Sequence, residues 1–595
     1  MAKKGGEKEI SMSKRRKDKI EGKGVLVRGA VICIAVAAIS FSLISGLAAQ
    51  GTGDAVTVTV NAPETAKAGE AFVVSIDVDN VTDFNSGQFD LSFDAGVVNV
   101  TDVADGSLDG ETTIPVDRWE FVDKDTIRVI LDVSGIAGVN GSGNLAKVSF
   151  EVVGMGGDKS VLDISNGMLV NTEAEEIPAE WVDDEVIVGP VKVEVNAPEM
   201  AKVGATFVAS IDVDSIADFN TGLFNVSFDS NVVNVTGVAN GSVGGGTIPV
   251  DKWERMDDDT IRVFLAVSGV AGVSGMGNLA TISFEIVGMG GDRSVLDISG
   301  GMLVNTEAEE IPSGWIDDKV IVGPVKVEVN APEMAKAAET FVARIDVDSI
   351  AAFNSGLFDL SFDSSAVNVT DVADGSLDGE TIPVNKWERM DNGTIRVFLE
   401  VPGITGVSGS GNLATIRFAV VGMGGDRSVL DISDGMLVNT EAEEIPSGWI
   451  DDKVIVGPVK VEVNAPEPEM AKAGGTFVAS IDVVDSIADF NTGLFDLSFD
   501  SSVVNVTDVA EGRLDETTIP VEMWEFMDRD TIRVFLSLPE DTAVSSSGYL
   551  AKISFKVSGN KGDECVLDID NGFLGNIRAE EIPAEWIDGK VIVGE

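Results

Sequence analysis

The chain has 595 residues, of which 99 are acidic and 42 basic, and it contains two cysteines and no histidine. Its length exceeds what one hydrophobic core supports, and its net charge of -57 argues against nucleic acid and anionic lipid as partners, because like charges repel. The lack of histidine removes the most frequent general base and transition-metal ligand, and the positions of Cys33 and Cys565 exclude a disulfide within one domain.

The N-terminal segment has the charge and hydropathy of an export signal or a membrane anchor. Residues 1–28 are basic, and an apolar run comes next at residues 29–49. Positive charge before such a run places the N-terminus in the cytoplasm and exports the rest of the chain. The run is long enough to span a bilayer, whereas Gly46-Leu47-Ala48 resembles a cleavage site, so an uncleaved anchor and a signal cleaved near Ala48 both stay open. We expect everything after the linker at residues 50–55 to be extracellular, either anchored at the cell surface or secreted.

From Val56 onward the sequence repeats itself four times in units of domain length. The predicted domains are residues 56–189, 191–323, 325–457 and 459–594. This period is much longer than that of solenoid repeats, so each unit is expected to have its own core. A single Gly-Pro pair, as at Gly189-Pro190, separates consecutive units. Such a short, restricted link predicts a fairly stiff rod.

Each repeat shows the alternation of apolar and polar residues that is typical of strands. In the first repeat this pattern covers residues 72–78, 89–93, 127–133 and 146–152, with Gly, Asn and Asp between the segments. No stretch has a convincing helical period. About nine short strands in a unit of this length predict an all-β fold, an antiparallel β-sandwich.

Several features that occur in one order in every repeat resemble the cohesin domain family. In the second repeat they are a strand ending in an acidic turn (222–229), the next strand with its glycine (232–241), a Gly-x-Gly and Leu-Ala run (275–284) and the segments at 294–298 and 301–303. The resemblance implies a nine-stranded jelly-roll sandwich, related to carbohydrate-binding modules, that docks a partner domain called dockerin on one sheet face. The fourth repeat departs from the pattern at Ser547-Gly548-Tyr549 and by the extra residue Val484.

The resemblance also places the partner face on the strands that contain residues 89–93 and 127–133. Leucine beside phenylalanine, with arginine at the edge, has the composition of an interface centre. The predicted partner-binding residues are Leu223, Arg262 and Phe264 in the second repeat, Leu357, Arg396 and Phe398 in the third, and Leu494, Arg533 and Phe535 in the fourth. The first repeat has Gln88 and Ile130 instead, which predicts weaker or different binding. The alternative is that a loop covers these residues.

Paired aspartates near the start of the first three repeats are candidate calcium ligands. The candidate ligands are Asp77, Asp79 and Asp83 in the first repeat and Asp212, Asp214 and Asp218 in the second. Carboxylates on one strand face supply oxygens, the ligands that calcium prefers. Solvated acids are the alternative, because the spacing is not that of an EF-hand and the third repeat has Ala352 at one of these positions.

Two further patterns recur in every repeat. A pair of tryptophans, such as Trp119 and Trp181, could stack on sugar rings, although their isolation favours a role as lids on the core. Asn99, Asn234, Asn368 and Asn505 begin Asn-x-Thr sequences, which are glycosylation acceptors in exported proteins. No catalytic constellation is predicted, because the chain lacks histidine and no carboxylate pair lies in an apolar pattern.

The leading hypothesis is a non-catalytic extracellular scaffold of four cohesin-like modules that gathers dockerin-bearing exported proteins. The family resemblance links such a scaffold to polysaccharide binding and degradation. Two alternatives remain at this point, an array of carbohydrate-binding modules and a structural or adhesive rod on the cell surface.

Overall fold

The computed structural model describes residues 56–110, 112–133, 137–269, 271–465 and 471–595. Within them the secondary structure consists of strands joined by turns and bends. Across these described ranges, the chain has no helix with the length and apolar character needed to cross a membrane. The basic region 1–28, the signal or anchor 29–49 and the linker 50–55 lie outside the described residues.

The strands form four sheets in chain order, which we call modules 1 to 4. Module 1 contains β1 (Val56–Asn61), β2 (Thr65–Ala66), β3 (Ala71–Ser92), β4 (Val98–Leu108), β5 (Thr112–Ile114), β6 (Val116–Asp123), β7 (Thr126–Asp132), β8 (Val139–Val152), β9 (Lys159–Asn171), β10 (Glu176–Ile177), β11 (Ala179–Val182) and β12 (Asp184–Val188). Module 2 contains β13 (Val191–Asn196), β14 (Met200–Ala201), β15 (Thr206–Ser227), β16 (Val233–Val243), β17 (Gly246–Ile248), β18 (Val250–Arg255), β19 (Thr260–Ala266), β20 (Val273–Ile286), β21 (Arg293–Asn305), β22 (Glu310–Ile311), β23 (Ser313–Ile316) and β24 (Asp318–Val322).

Modules 3 and 4 repeat this order. Module 3 contains β25 (Val325–Asn330), β26 (Met334–Ala335), β27 (Thr340–Ser361), β28 (Val367–Leu377), β29 (Glu380–Ile382), β30 (Val384–Arg389), β31 (Thr394–Glu400), β32 (Val407–Val420), β33 (Arg427–Asn439), β34 (Glu444–Ile445), β35 (Ser447–Ile450) and β36 (Asp452–Val456). Module 4 contains β37 (Val459–Asn464), β38 (Thr476–Ser498), β39 (Val504–Leu514), β40 (Thr517–Ile519), β41 (Val521–Phe526), β42 (Thr531–Ser537), β43 (Val544–Val557), β44 (Glu564–Asn576), β45 (Ala584–Ile587) and β46 (Gly589–Ile592).

The long strand β3 connects the two layers of module 1. Its first half pairs with β1 and β8, and its second half pairs with β7 and β9. Between the halves the register on β8 shifts, and Asn80 and Asp83 have positive φ angles of 55° and 57°. Asparagine and aspartate tolerate this left-handed conformation better than most residues. One layer is therefore β11-β1-β3-β8-β4, and the other is β6-β7-β3-β9.

The predicted apolar alternation is the buried face of these layers. Phe89 and Leu91 of β3 and Ile127 and Val129 of β7 are fully buried. An edge-on contact between Phe93 and Phe150, with ring centroids 5.5 Å apart, joins the two layers. Equivalent residues form a separate hydrophobic core in each of the four modules. Period-two alternation is sufficient to define these strands because it assigns every second side chain to one face.

The number of strands is higher than the nine expected for each repeat. The first three modules have twelve strands and module 4 has ten. Strands of two or three residues, such as β2, β5 and β10, are too short for alternation to mark in the sequence. In module 4 two of these short pairings are reduced to the single bridges Lys472–Gly594 and Gly575–Glu581.

Candidate partner-binding face

The residues predicted to bind a partner lie on the layer β6-β7-β3-β9 of module 1 and on the equivalent layer of each other module. Leu223 of β15 lies directly opposite Phe264 of β19, and Leu357–Phe398 and Leu494–Phe535 are the corresponding pairs. Their neighbours along each strand, such as Phe224 and Val263, are fully buried. Because side chains alternate, the leucine and phenylalanine must lie on the outer face of the layer.

Strand pairing extends each of these pairs into a row of four side chains across four strands. We call it the outer row. Its members are Arg118, Ile130, Gln88 and Met168 in module 1, Lys252, Phe264, Leu223 and Met302 in module 2, Lys386, Phe398, Leu357 and Met436 in module 3, and Met523, Phe535, Leu494 and Phe573 in module 4.

The outer row has an apolar centre in modules 2 to 4 and reaches solvent. Its leucines and phenylalanines on the central two strands are half-buried, which is the expected state of large side chains packed beside one another on an open face. At the edge, Met168 and Met436 are 40% exposed and Phe573 is 38% exposed. The Lys252 ammonium lies 5.8 Å from the centre of the Phe264 ring, and Lys386 makes the same contact with Phe398 at 5.6 Å. Cations over ring faces add attraction to the row.

A second row lies two residues further along each strand, on the same face, and its polar members are hydrogen-bonded to one another. We call it the Arg–Asp rung. In module 1 the Arg128 guanidinium donates two hydrogen bonds of 2.7 Å to the buried carboxylate of Asp90, which also accepts a 2.9 Å hydrogen bond from Asn166. The hydrogen bond from Arg128 holds the pKa of Asp90 below its ordinary value although burial opposes this. Arg396–Asp359 and Arg533–Asp496 have the same bidentate geometry. The arginines that were predicted to bind a partner therefore stabilise the sheet through hydrogen bonds to the neighbouring strand.

A β-bulge in β9 positions the third member of this rung. The register between β3 and β9 shifts between Gln88 and Asp90, and Asn166 in the bulge has a φ angle of 46°. Asn571 occupies the same place in module 4, with a φ angle of 47°, and its amide lies 3.0 Å from Asp496. Bulges re-aim side chains in this way because the extra residue bends one strand.

Module 2 differs from the others at the rung. Asn225 replaces the aspartate, and Gly300 occupies the bulge position. Arg262 keeps one hydrogen bond, of 2.8 Å, to the Asn225 side-chain oxygen. Its positive charge is therefore not neutralised within the rung.

The tryptophans are lids on the cores. All eight are partly buried and packed against the hydrophobic core of their module. Trp181 covers Gly167, where a Cβ atom would lie 2.1 Å from the indole ring, and it tilts against Phe89 at 6.5 Å. The glycine is required by this close approach. The Trp181 ring is thus used in packing within the module, as expected of a lid on the core.

The calcium candidates do not converge. Asp77 accepts a hydrogen bond from Asn61, Asp79 from Ser142 and Asp83 from Thr172, so the three carboxylates have three different partners. Asp212, Asp214 and Asp218 are likewise engaged by Asn196, the Lys192 backbone and Ser274. In the described parts of the chain, no group of three or more acidic or cysteine side chains is placed to hold a metal ion. Sharing one strand face does not bring the carboxylates together, because the strand turns before Asp83.

The four candidate glycosylation sites lie on equivalent strands and differ in accessibility. Asn99 and Asn234 are exposed, whereas Asn368 and Asn505 are half-buried. The side-chain oxygens of Asn234 and Asn368 accept hydrogen bonds from Arg255 and Arg389. Modification of these residues stays a prediction.

Sequence reasoning missed two members of each outer row. Met302 of β21 and Lys252 of β18 are distant in sequence from Leu223 and Phe264, and only strand pairing brings the four together. A signal was present in the Gly-Met-Leu segment at residues 301–303, where an apolar methionine stands next to the buried Leu303. Because neighbours along a strand point to opposite faces, a residue beside a core leucine lies on the outer face.

Comparison with known proteins gives a consistent family. The model of the cohesin domain matches residues 56–188, 191–322 and 325–456, which together make up more than half of the chain. The curated cellulose-binding protein A of Clostridium cellulovorans is 22% identical over 552 residues, which are 84% of this chain and 28% of that protein. The chain thus spans about 28% of the length of this relative.

The solved structures that match include a non-cellulosomal cohesin from Archaeoglobus fulgidus, with 20% identity, coverage of 23% of this chain and 93% of that chain, and a TM-score of 0.20. The type II cohesin dyad of the ScaA scaffoldin of Acetivibrio cellulolyticus is 13% identical, covers 45% and 99%, and has a TM-score of 0.19. A type I cohesin–dockerin complex from Clostridium thermocellum is 15% identical, covers 23% and 100%, and has a TM-score of 0.21.

Proposed function

This chain belongs to the cohesin domain family, and from that premise we propose that each of its four modules docks a dockerin-bearing protein on the outer face of the layer equivalent to β6-β7-β3-β9. One chain then gathers several partners as a scaffold. Cohesin domains are binding modules without catalytic activity, so residues 56–456 act by binding. Module 4 is included because it repeats the strand pairings of the other three.

The observation that carries this proposal is the outer row. Large apolar side chains such as Leu357, Phe398 and Met436 lie side by side on an open sheet face, although nothing in the core requires them there. A solvated face favours polar residues, and a cluster of large apolar residues with cations at its edge is typical of an interface centre. The Arg–Asp rung beside the row holds the strands in register, so the surface is organised before a partner binds.

The finer division of the chain is part of the proposal. We take residues 56–189, 191–323, 325–457 and 459–594 as the domains and each fold as a nine-stranded jelly roll. The count supports this, because setting aside the two- and three-residue strands β2, β5 and β10 of module 1 leaves nine.

We further propose that the array works outside the cell. The support is the sequence alone, in which the basic residues 1–28 precede the apolar residues 29–49. Such an array would bring exported proteins together at the surface or, if the signal is cleaved, in the medium. A link to polysaccharide binding and breakdown follows from the kind of scaffold that the family resemblance indicates.

Calorimetric titration of the chain with purified dockerin domains encoded by the same organism tests the proposal, with and without calcium. One variant carries aspartate at Ile130, Phe264, Phe398 and Phe535 together. The expected result is saturable binding to the wild-type chain and none to the variant. Phe121→Asp and Phe526→Asp are the matched controls, because both rings are exposed yet lie outside the outer row. Unfolding of the variant would show that these residues belong to the core, and equal binding by both chains would exclude this face.

A further inference from the structure

The contacts between consecutive modules form a recurring interface. A loop of sequence Gly-Met-Gly-Gly-Asp followed by a cation, which we call the junction loop, occupies residues 154–159, 288–293 and 422–427. It meets residues 215–217, 349–351 and 486–488 of the following module, which we call the docking segment. Each junction thus uses the same two pieces of chain.

Backbone hydrogen bonds join the two pieces as they would two strands of a sheet. Gly156 donates to the Ser215 carbonyl at 2.9 Å and accepts from the Ala217 amide at 2.8 Å. Gly424 makes the same pair of hydrogen bonds with Ser486 and Ala488, and Gly290 accepts from Ala351 at 2.8 Å. Each junction also forms a parallel β-bridge. Such paired backbone bonds impose both position and direction.

The fit at the junction leaves no room for a side chain. A Cβ atom on Gly156 would lie 2.1 Å from Cγ2 of Val191, the first strand residue of the next module. The corresponding distances are 2.3 Å from Gly290 to Val325 and 2.2 Å from Gly424 to Val459. Glycine is therefore required here by close approach and not by a special φ angle.

Isoleucines at equivalent positions of the four modules show that the preceding module buries part of the next one. Ile311, Ile445 and Ile582 are each 1% exposed, and their side chains lie against Gly157, Gly291 and Gly425 of the module before. Ile177, the equivalent residue of module 1, is only half-buried. Ala217, Ala351 and Ala488 are likewise buried, whereas Thr82 at that place in module 1 is exposed. The junctions therefore remove apolar surface from water.

Ion pairs join the modules at the second and third junctions, whereas Lys159 at the first junction pairs with Glu185 of its own module. Arg293 contacts the Glu443 carboxylate at 2.5 Å and the Glu444 carbonyl, and Arg427 contacts Glu580 at 3.3 Å and the Glu581 carbonyl at 2.8 Å. Burial raises the pKa values of the loop aspartates Asp158, Asp292 and Asp426.

Module 4 keeps the loop and changes its contact residues. Its loop, residues 559–564, has the same turn, in which the Asn560 amide donates to Asp563 at 2.7 Å as Met155 does to Asp158. However, Lys561 replaces the crowded glycine, and Glu564 replaces the cation. The lysine would collide with a docked module, and the glutamate would face an acid where the other loops present a cation.

We infer that consecutive modules recognise one another through the junction loop, which fixes the relative orientation of their partner-binding faces, and that the loop of module 4 does not accept a docking segment. The partner of this surface is another copy of the module. The face-bearing modules are then held in one arrangement, independently of whether the faces bind dockerins.

Distance measurements between modules 2 and 3 test this inference in the full chain. Spin labels on Met256→Cys and Met390→Cys, two exposed and equivalent positions, report the separation by pulsed electron resonance in a Cys33→Ser background. We expect a narrow distribution that becomes broader by about twofold or more in the variant Gly290→Lys/Arg293→Glu, because a short linker alone allows the modules to move. Module 4 already carries lysine and glutamate in this loop, so the variant is expected to fold.

Two further variants separate the contacts from general damage. The variant Arg293→Glu/Glu443→Arg exchanges the two charges of the ion pair, and its distance distribution should be narrower than that of Arg293→Glu alone. Lys561→Gly/Glu564→Arg changes the module 4 loop and should leave the distance unaltered. An equally broad distribution in the wild-type chain, or an unchanged one in Gly290→Lys/Arg293→Glu, would overturn the inference.

Discussion

Modules 1 and 4 have the same Arg–Asp rung and differ in all four residues of the outer row. Arg128–Asp90–Asn166 and Arg533–Asp496–Asn571 agree within 0.1 Å in their hydrogen bonds. In contrast, the row reads Arg118, Ile130, Gln88 and Met168 in module 1 and Met523, Phe535, Leu494 and Phe573 in module 4. The rung maintains the sheet, and the row is free to set affinity and selectivity.

The largest effect should come from charging the row where it is most apolar. Phe535→Asp is expected to weaken partner binding by module 4 about 30-fold or more, because truncating a central aromatic anchor costs about 2 kcal/mol or more. Ile130→Asp should weaken module 1 less, since its row already contains Gln88. The measurement is calorimetric titration in chains in which the other three faces are silenced by aspartate. Equal losses in the two modules would contradict a row-based difference.

The converse change should bring module 1 closer to module 4. Gln88→Leu with Ile130→Phe adds apolar surface at the row centre and is expected to tighten binding about tenfold. Surface plasmon resonance against the partner preferred by module 4 measures this gain. The same substitutions should leave the melting temperature nearly unchanged, because both positions are only half-buried. An unaltered affinity would mean that the row does not set the difference.

Breaking the rung should affect both modules alike. Asp496→Asn and Asp90→Asn remove the charge that faces the arginine, and each is expected to lower the free energy of unfolding by about 1 kcal/mol. Asn225→Asp in module 2 is the reverse change and should be stabilising by a similar amount. Native-state hydrogen exchange of the strands in the altered module provides the measurement. A clear loss in one module and none in the other would show that the rungs are not equivalent.

The rung should also give stability a defined dependence on pH. The hydrogen bond from arginine lowers the pKa values of Asp90 and Asp496 in the folded state. Their stabilisation is therefore complete above the unfolded value of 3.8 and is lost as the pH falls through the folded value. The difference between wild type and Asp496→Asn should be present at neutral pH and disappear once the pH falls below the folded pKa. A difference that persists in acid would have another cause.

The smallest effect should come from an acid pair that both modules share. Burial, followed by repulsion from Asp183, raises the pKa of Asp163, and Asp568 beside Asp588 is raised in the same way. A raised carboxyl pKa reverses the pH dependence of stability. The group favours folding at low pH, and this contribution is lost as the pH rises through the folded pKa. Asp163→Asn should thus increase the melting temperature at neutral pH but not in acid. An increase at both pH values would point to a contact and not to charge.

Local patterns in the sequence are sufficient to predict the long strands, their buried faces and the apolar character of the row centre. Phe89, Leu91 and Ile127 were assigned correctly because period-two alternation is a local property. The same reasoning placed Leu494 and Phe535 outside the core, where they lie. It gave no indication of the short strand β10 or of the bulge at Asn166, because neither leaves a repeated pattern of more than two or three residues.

Which residues share a surface depends on how strands and modules pair in the folded chain. Met168 and Arg118 join Gln88 through strand register, Asp90 meets Arg128 across two strands, and Gly156 meets Ser215 across two modules. Each of these contacts depends on the pairing of segments distant in sequence. The alternation of one strand does not contain this information, because it fixes the face of each side chain but not the neighbour that stands beside it.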